Sequence, residues 1–373
     1  MKRNKITAFF LALFLIFTGT LCTGCSLVYS LPGLAFSGVK EKEIGTMDEL
    51  VILVEDALEK GLEEVSFVTG DLSMEEVQEI NRMMDGYYGT VASCESTESA
   101  LTHRKKMSLS LEISDNYYVE GHLLEGKDIP EDREKAVELA DTCTKIIKDM
   151  EEDLGKDASD YKKEVWIHDY LVLHTAYGFP EGVDEEQARP HESYDALVSH
   201  KAVCNGYAFG MKLLCDLCGI ENRIVTGTGS GESHAWNLVK IGGDWYHVDV
   251  TWDDPSPDQE GRVVYTYLNI NDERAGLGHV WNTGSWPSAG SMKENYYEKN
   301  GLFCEDYDAF KEKCVKILKK GSSDHFQLMV GDYDGSIYSG GNMDFLFDYT
   351  DYRSVKYQTI GEIPYTTLYL QFY

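Results

Sequence analysis

Apolar positions recur at helical spacing early in the chain, where Leu50, Leu53, Val54, Ala57 and Leu58 share one face of residues 47–60. Gly61 closes that pattern, and EVSFVTG then alternates as a strand. Ser73 and Glu76 form a capping box that opens a helix to about Met84. KMSLSLEIS and YYVEGHLL both have strand character, and Ser114, Asp115 and Asn116 between them predict a short hairpin connection. Pro130, followed by Glu131 and Asp132, predicts the first turn of a long helix to about Leu154, which Gly155 ends. A second helix follows over YKKEVWIHDYLVLHTAYG, with His168 and His174 off its main apolar face.

The pattern is most informative from Val203 to Pro255. Cys204 opens a helical repeat through Ala208, Met211, Cys215 and Cys218, and Gly219 stops it. Gly206 and Gly210 weaken such a helix, which predicts close approach of another backbone to that face. IENRIVTG reads as a strand, TGSGES as a loop, and SHAWNLVKI and DWYHVDV as two strands about Gly242-Gly243. A two-residue turn there pairs Ile241 with Asp244, and continuing the register sets Trp236 opposite Asp249 and His234 opposite Thr251. His234 and Asp249 then become diagonal neighbours on one face, ~7–8 Å apart at Cα and within reach of a hydrogen bond. His247 shares the face nearer the turn. VVYTYLNI predicts a further core strand, AFKEKCVKILKK a helix, and FQLMV, FLFDYT and YTTLYLQFY a β-rich end.

These elements divide the chain into an N-terminal α+β module (47–155), a central domain (156–285) and a C-terminal α+β module (286–373). The segment before them differs. Met1 to Lys5 carries three positive charges, and Ala8 to Phe17 is an apolar run too short to span a bilayer comfortably. LCTGCS follows and resembles a bacterial lipobox, so residues 1–24 are expected to be a signal peptide, Cys25 the lipidated residue, and residues 25–46 a tether. Cys22 stands where that motif has Leu, which keeps Cys22 itself open as the modified residue; an uncleaved anchor or an ordinary cleaved signal are the alternatives. The expected location is extracytoplasmic, on the membrane through the lipid.

Charge narrows the partners. Sixty-four acidic against 34 basic residues give a formal net charge of -30, which repels nucleic acid and anionic membrane surfaces. Nucleic acid is therefore not an expected partner, and the lipid supplies the membrane link.

Cys204, His234 and Asp249 carry the candidate chemistry. A thiol at a helix start sits where unpaired N–H groups favour thiolate, and a carboxylate beside an imidazole fixes its tautomer and leaves the other ring nitrogen for the thiol. Cys215 and Cys218 form a C-x-x-C at a helix end with no second pair, so they read as core thiols. Past Cys25, seven scattered cysteines leave at least one thiol free. Asp253, Asp254 and Asp258, like Asp332 and Asp334, lack a calcium loop and read as turns, so no metal or cofactor is expected. Trp236, Trp245 and Trp252 read as sheet and cleft wall.

V-C-x-G-Y-A, H-A-W-N and W-Y-H-V-D-V-T-W-D-D-P, with I-H-D-Y-L-V upstream, resemble the transglutaminase-like superfamily, nearest its bacterial lipoprotein and cytokinesis-associated branch, over about residues 160–280. The resemblance implies a papain-like α+β core with the Cys helix on an antiparallel sheet. It makes Cys204 the nucleophile, His234 the general base and acid, and Asp249 the orienter. Asn205 departs from the larger polar residue usual after the Cys. The backbone N–H of Cys204 is one expected oxyanion donor and His168 a candidate second. Two functions follow as expectations: an exported thiol enzyme acting on amide bonds of a peptide or protein substrate by hydrolysis or transamidation, or a non-catalytic cell-envelope binding module of the same fold.

Overall fold

Three sheets of four or five strands, each with its own helices, organise the described residues, beside a two-stranded pair of Ala176–Tyr177 with Lys201–Ala202. The computed structural model describes residues 42–99, 104–179, 193–254, 259, 261–321 and 324–373. The expected signal peptide, Cys25 and most of the expected tether lie outside the described residues. No helix among the described residues is long and apolar enough to cross a membrane.

The central sheet has five antiparallel strands in the order Leu268–Ile270, Asp244–Val248, Glu232–Ile241, Asn222–Gly229 and His279–Trp281. Ala235, Val239, Ile241, Tyr246 and Val248 supply one buried face. Against it packs the helix Cys204–Leu217, through a core that includes Ala208, Met211 and Cys215. The Asn237 side chain ties the two layers by donating Nδ2–H to the Ala208 carbonyl at 2.9 Å. Helices Glu134–Leu154 and Asp160–His174 complete this core from behind. This is the α+β arrangement expected, a cysteine-headed helix on an antiparallel sheet.

Gly219 leaves the Cys204 helix with φ +76, a conformation that favours glycine, and so ends it as expected. Gly210 differs from expectation. A Cβ there would meet the side chains of Leu171, Ala196 and Leu197 at 3.2–3.6 Å, so neighbouring helices, not a backbone, come close.

The hairpin register is as read from sequence: Ile241 pairs with Asp244, Leu238 with His247 and Asn237 with Val248. The ladder stops there. Asp249 and Val250–Asp253 turn into a short helix, so Thr251 does not come opposite His234. The TGSGES loop also tightens, to a Ser230-Gly231 turn with positive φ at both residues, the geometry that matches strand twist in two-residue hairpins. Only Leu268–Ile270 of VVYTYLNI is strand.

The N-terminal sheet runs in the order Lys42–Glu43, Glu64–Thr69, Lys105–Ile113, Gly89–Glu98 and is covered by helix Met47–Glu59. Both halves of the Ser73/Glu76 capping box form, although that helix ends at Gln78 and continues as a 3-10 turn over Ile80–Arg82. The expected hairpin through Ser114 is instead a strand followed by a helix, Asp115–Glu125. Asn116, Val119 and Glu120 fall on one buried helical face, and Glu120 accepts from the hydroxyls of Tyr87 and Tyr88. Tertiary partners for a buried carboxylate override the strand propensity of Tyr117 and Tyr118 in the same helix. The helix expected from Pro130 begins at Glu134.

The C-terminal sheet has the order Phe303–Cys304, His325–Val330, Thr366–Phe372, Val355–Ile360, packed on helix Tyr307–Lys320. FLFDYT, expected as strand, lies in the 3-10 stretch Gly340–Tyr349 up to its last residue, and the adjacent Phe345 and Leu346 are both buried while Phe347 is exposed, so burial does not alternate along it.

Candidate active site

Cys204 is the first residue of its helix, after Val203 in extended conformation, and its side chain is part-exposed. The first N–H groups of a helix have no acceptor within it, and their dipoles point at the residue in that position. His234 stands near the start of the long central strand Glu232–Ile241. Its Nε2 lies 2.7 Å from Asp249 Oδ2, in hydrogen-bond contact. Nε2 being committed, Nδ1 is the ring nitrogen left for a thiol; Cys204 lies near enough to favour the charged imidazole, while its Sγ–H points to Asn205 Oδ1 at 3.7 Å. Burial opposes a charge on His234, but the Asp249 carboxylate, and after it Cys204, push the ring up to about 10. Asp249 is buried as well; that alone would raise it, yet the charge on His234 and hydrogen bonds from His234 and His279 hold it well below the usual carboxylate range. Its other oxygen, Oδ1, accepts from Trp252 N at 3.1 Å and caps the helical turn.

The structure thus brings Cys204, His234 and Asp249 together. His279 joins them without any sequence signal having pointed to it. Its Nε2 lies 2.8 Å from the same Asp249 Oδ2, and it arrives on the edge strand, opposite Gly229. The ligand atoms of His234, Asp249 and His279 all lie within 4.8 Å of one another, near enough to hold a metal ion. Tyr177 also flanks the site. Burial, then the charges of Cys204, Glu232 and Asp249, raise its hydroxyl.

Other candidates are placed elsewhere. His168 is fully buried, with Nδ1 on Asp169 Oδ1 at 3.1 Å and Nε2 on Asp253 Oδ2 at 3.2 Å. Both nitrogens being taken, it is a core hydrogen-bonding group and not an oxyanion donor. Burial works against its charge, and the two carboxylates push it up to about 9. His247 accepts from Trp236 Nε1 at 2.9 Å and donates Nε2–H to Asp272 Oδ1 at 2.9 Å, a neutral tautomer consistent with its lowered value, for which burial is the main cause. Asp253 accepts from the Tyr267 N–H, and Asp254 from the Tyr207 hydroxyl on the Cys204 helix. Asp258 lies outside the described residues. The described cysteines are all free thiols, and burial pushes up Cys94, Cys143, Cys215, Cys218, Cys304 and Cys314.

Trp252 stacks on His234 with ring centroids 5.4 Å apart, and Trp236 does so at 5.8 Å, so indoles wall the imidazole as expected. Trp245 lies further out under Arg223 and Lys240. Behind Trp252, a cavity of about 500 Å³ reaches Arg262, Tyr333 and Tyr357, but Cys204, His234 and Asp249 do not line it.

Residues 148–250 match the model of the transglutaminase-like superfamily. The kyphoscoliosis peptidases of Homo sapiens and Mus musculus are each 32% identical over 102 residues, covering 24% of this chain and 15% of theirs. The chain therefore matches a small part of the length of these relatives. A solved structure described as a TGase is 16% identical over 54% of each chain, with a TM-score of 0.28. Residues 148–250 of this chain are thus a transglutaminase-like domain.

Proposed function

We propose that this protein is an exported, thiol-dependent acyl-transfer enzyme that acts on amide bonds of peptides or proteins through Cys204, His234 and Asp249. The 2.7 Å hydrogen bond of His234 to Asp249, on an imidazole whose charge the nearby Cys204 favours, carries this reading. The Cys204 sulfur, as thiolate, adds to the amide carbonyl carbon, and the carbonyl electron pair moves to oxygen, facing the N–H groups of the helix start. Protonated His234 gives its proton to the amide nitrogen as the C–N bond breaks, which releases an amine and leaves a thioester on Cys204. Water or a second amine, deprotonated by His234, then attacks the thioester and restores the thiol. Water gives peptidase or amidase activity and an amine gives transamidation. The similarity to proteins named as peptidases makes hydrolysis the first activity to assay.

Iodoacetamide labelling, read by mass spectrometry, tests the core of the proposal. Cys204 is expected to alkylate fastest at pH 7, and His234→Ala is expected to slow that reaction. Unchanged total labelling in Cys204→Ala, or an unchanged Cys204 rate in His234→Ala, sinks it. The apolar run, the lipobox-like LCTGCS and Cys25 support export and anchoring as part of the same proposal. Incorporation of labelled fatty acid that persists in Cys25→Ala and Cys22→Ala alike would remove both cysteines as the attachment point.

A further inference from the structure

Asp249 Oδ2 receives two imidazoles, His234 Nε2 at 2.7 Å and His279 Nε2 at 2.8 Å. His279 lies beyond the matched residues 148–250, on the edge strand His279–Trp281. Its ring is buried, with Nδ1 at 3.2 Å from the Ala275 carbonyl and centroids 4.1 Å from Trp252 and 4.7 Å from Trp236.

We propose that His279 is a positioning residue for acyl transfer, fixing the Asp249 carboxylate so that His234 turns Nδ1 to Cys204. The inference rests on the proposed roles of Cys204 and His234. A carboxylate held by His234 alone is free to rotate with it and cannot orient it. Here Oδ1 is anchored by the Trp252 N–H from the helical turn, and Oδ2 by His279 from a separate strand. The plane of the carboxylate is therefore set independently of the imidazole that it must direct. Two aromatic walls and the Ala275 carbonyl hold His279 in turn, so the restraint runs from the sheet edge to the thiol.

Geometry separates this role from metal binding by the same three residues. Two ligands each ~2.0–2.1 Å from a tetrahedral zinc stand roughly 3.3 Å apart. The Nε2 to Oδ2 separations of 2.7 and 2.8 Å are shorter and match charge-assisted hydrogen bonds.

The test uses the full chain with His279→Phe, which keeps a ring and loses the donor, and His279→Gln, which keeps an N–H donor. The Cys204 iodoacetamide rate at pH 7 is expected to fall about 10-fold or more in His279→Phe, in line with loss of other outer partners of a reactive group, and to recover in part in His279→Gln. In wild-type protein with labelled histidine, NMR should show two downfield imidazole protons, and both should vanish in Asp249→Asn. This second measurement decides the question even where His279→Phe does not fold. A reactive Cys204 whose rate is unchanged in His279→Phe, equal losses in the Phe and Gln variants, or a His279 proton that persists in Asp249→Asn overturns the inference and leaves the nucleophile standing. A change in the wild-type rate on adding EDTA overturns it in favour of a metal. A wild-type Cys204 that alkylates no faster than Cys94 overturns both readings.

Discussion

His234 and Asp249 meet at 2.7 Å although the ladder between their strands has ended before either residue is reached. The last rung joins Asn237 to Val248, and Asp249 then departs with φ -118 and ψ 90 to cap the turn Val250–Asp253. The departure divides the work of one carboxylate. Oδ1 holds the turn through Trp252 N, and Oδ2 faces the two histidines.

Replacing Asp249 by Asn removes the charge that both imidazoles face and offers an amide N–H where an acceptor is needed. The expected result is a Cys204 alkylation rate at pH 7 at least ~10-fold below wild type, the lower end for loss of a group supporting proton transfer. Stopped alkylation followed by peptide mass analysis measures it; a rate within twofold of wild type refutes the role.

Stability should fall as pH rises above neutral. His234 and His168 are raised to about 10 and about 9, so the folded state keeps protons that the unfolded state, with ordinary histidines near ~6.5, has released. Their contribution is fully present below about pH 6.5 and is lost as pH rises through the folded values. The slope is up to about 1.4 kcal/mol per pH unit for each histidine. Glu164, which burial pushes up to about 8, acts in the same direction from about pH 4.5 upward. Urea unfolding at pH 6.5, 7.5 and 8.5 checks this, and a flat profile contradicts it.

His168→Ala should cost about 3–5 kcal/mol, because it strands the fully buried Asp253 without its cationic partner. Denaturant unfolding reads the loss. The surviving folded fraction should still alkylate at Cys204, which separates this histidine from His234.

Gly229→Ala tests how tightly the indole wall confines the base. A Cβ there would stand 2.8 Å from Trp252 and 3.0 Å from the His234 ring, so one of the two must move. Overpacking of this kind costs about 1–3 kcal/mol. The Cys204 rate is expected to drop more than the same loss of stability at a remote site would explain, with Gly290→Ala, which has open space, as the control.

Part of this site was legible because it is local. A two-residue glycine turn dictates which residues pair on either side of it, so Ile241 with Asp244 fixes the rungs as far as Asn237 with Val248, one residue short of Asp249. Cys204 before an apolar helical repeat, and Ser73 three residues before Glu76, are likewise settled by near neighbours. The order of these motifs also carries the resemblance to the transglutaminase-like superfamily, and residues 148–250 match its model.

Other features depended on partners far along the chain. YYVEGHLL became helical because Glu120 is buried against Tyr87 and Tyr88, and FLFDYT coiled because its apolar residues close the core of the C-terminal sheet. His168 and Asp253 are separated by 85 residues, and Asp249 and His279 by 30. By itself the sequence determined a thiol, an imidazole and a carboxylate in compatible register. Only the tertiary structure decided that a second histidine shares that carboxylate, because edge-strand pairing, not local spacing, carries His279 to it.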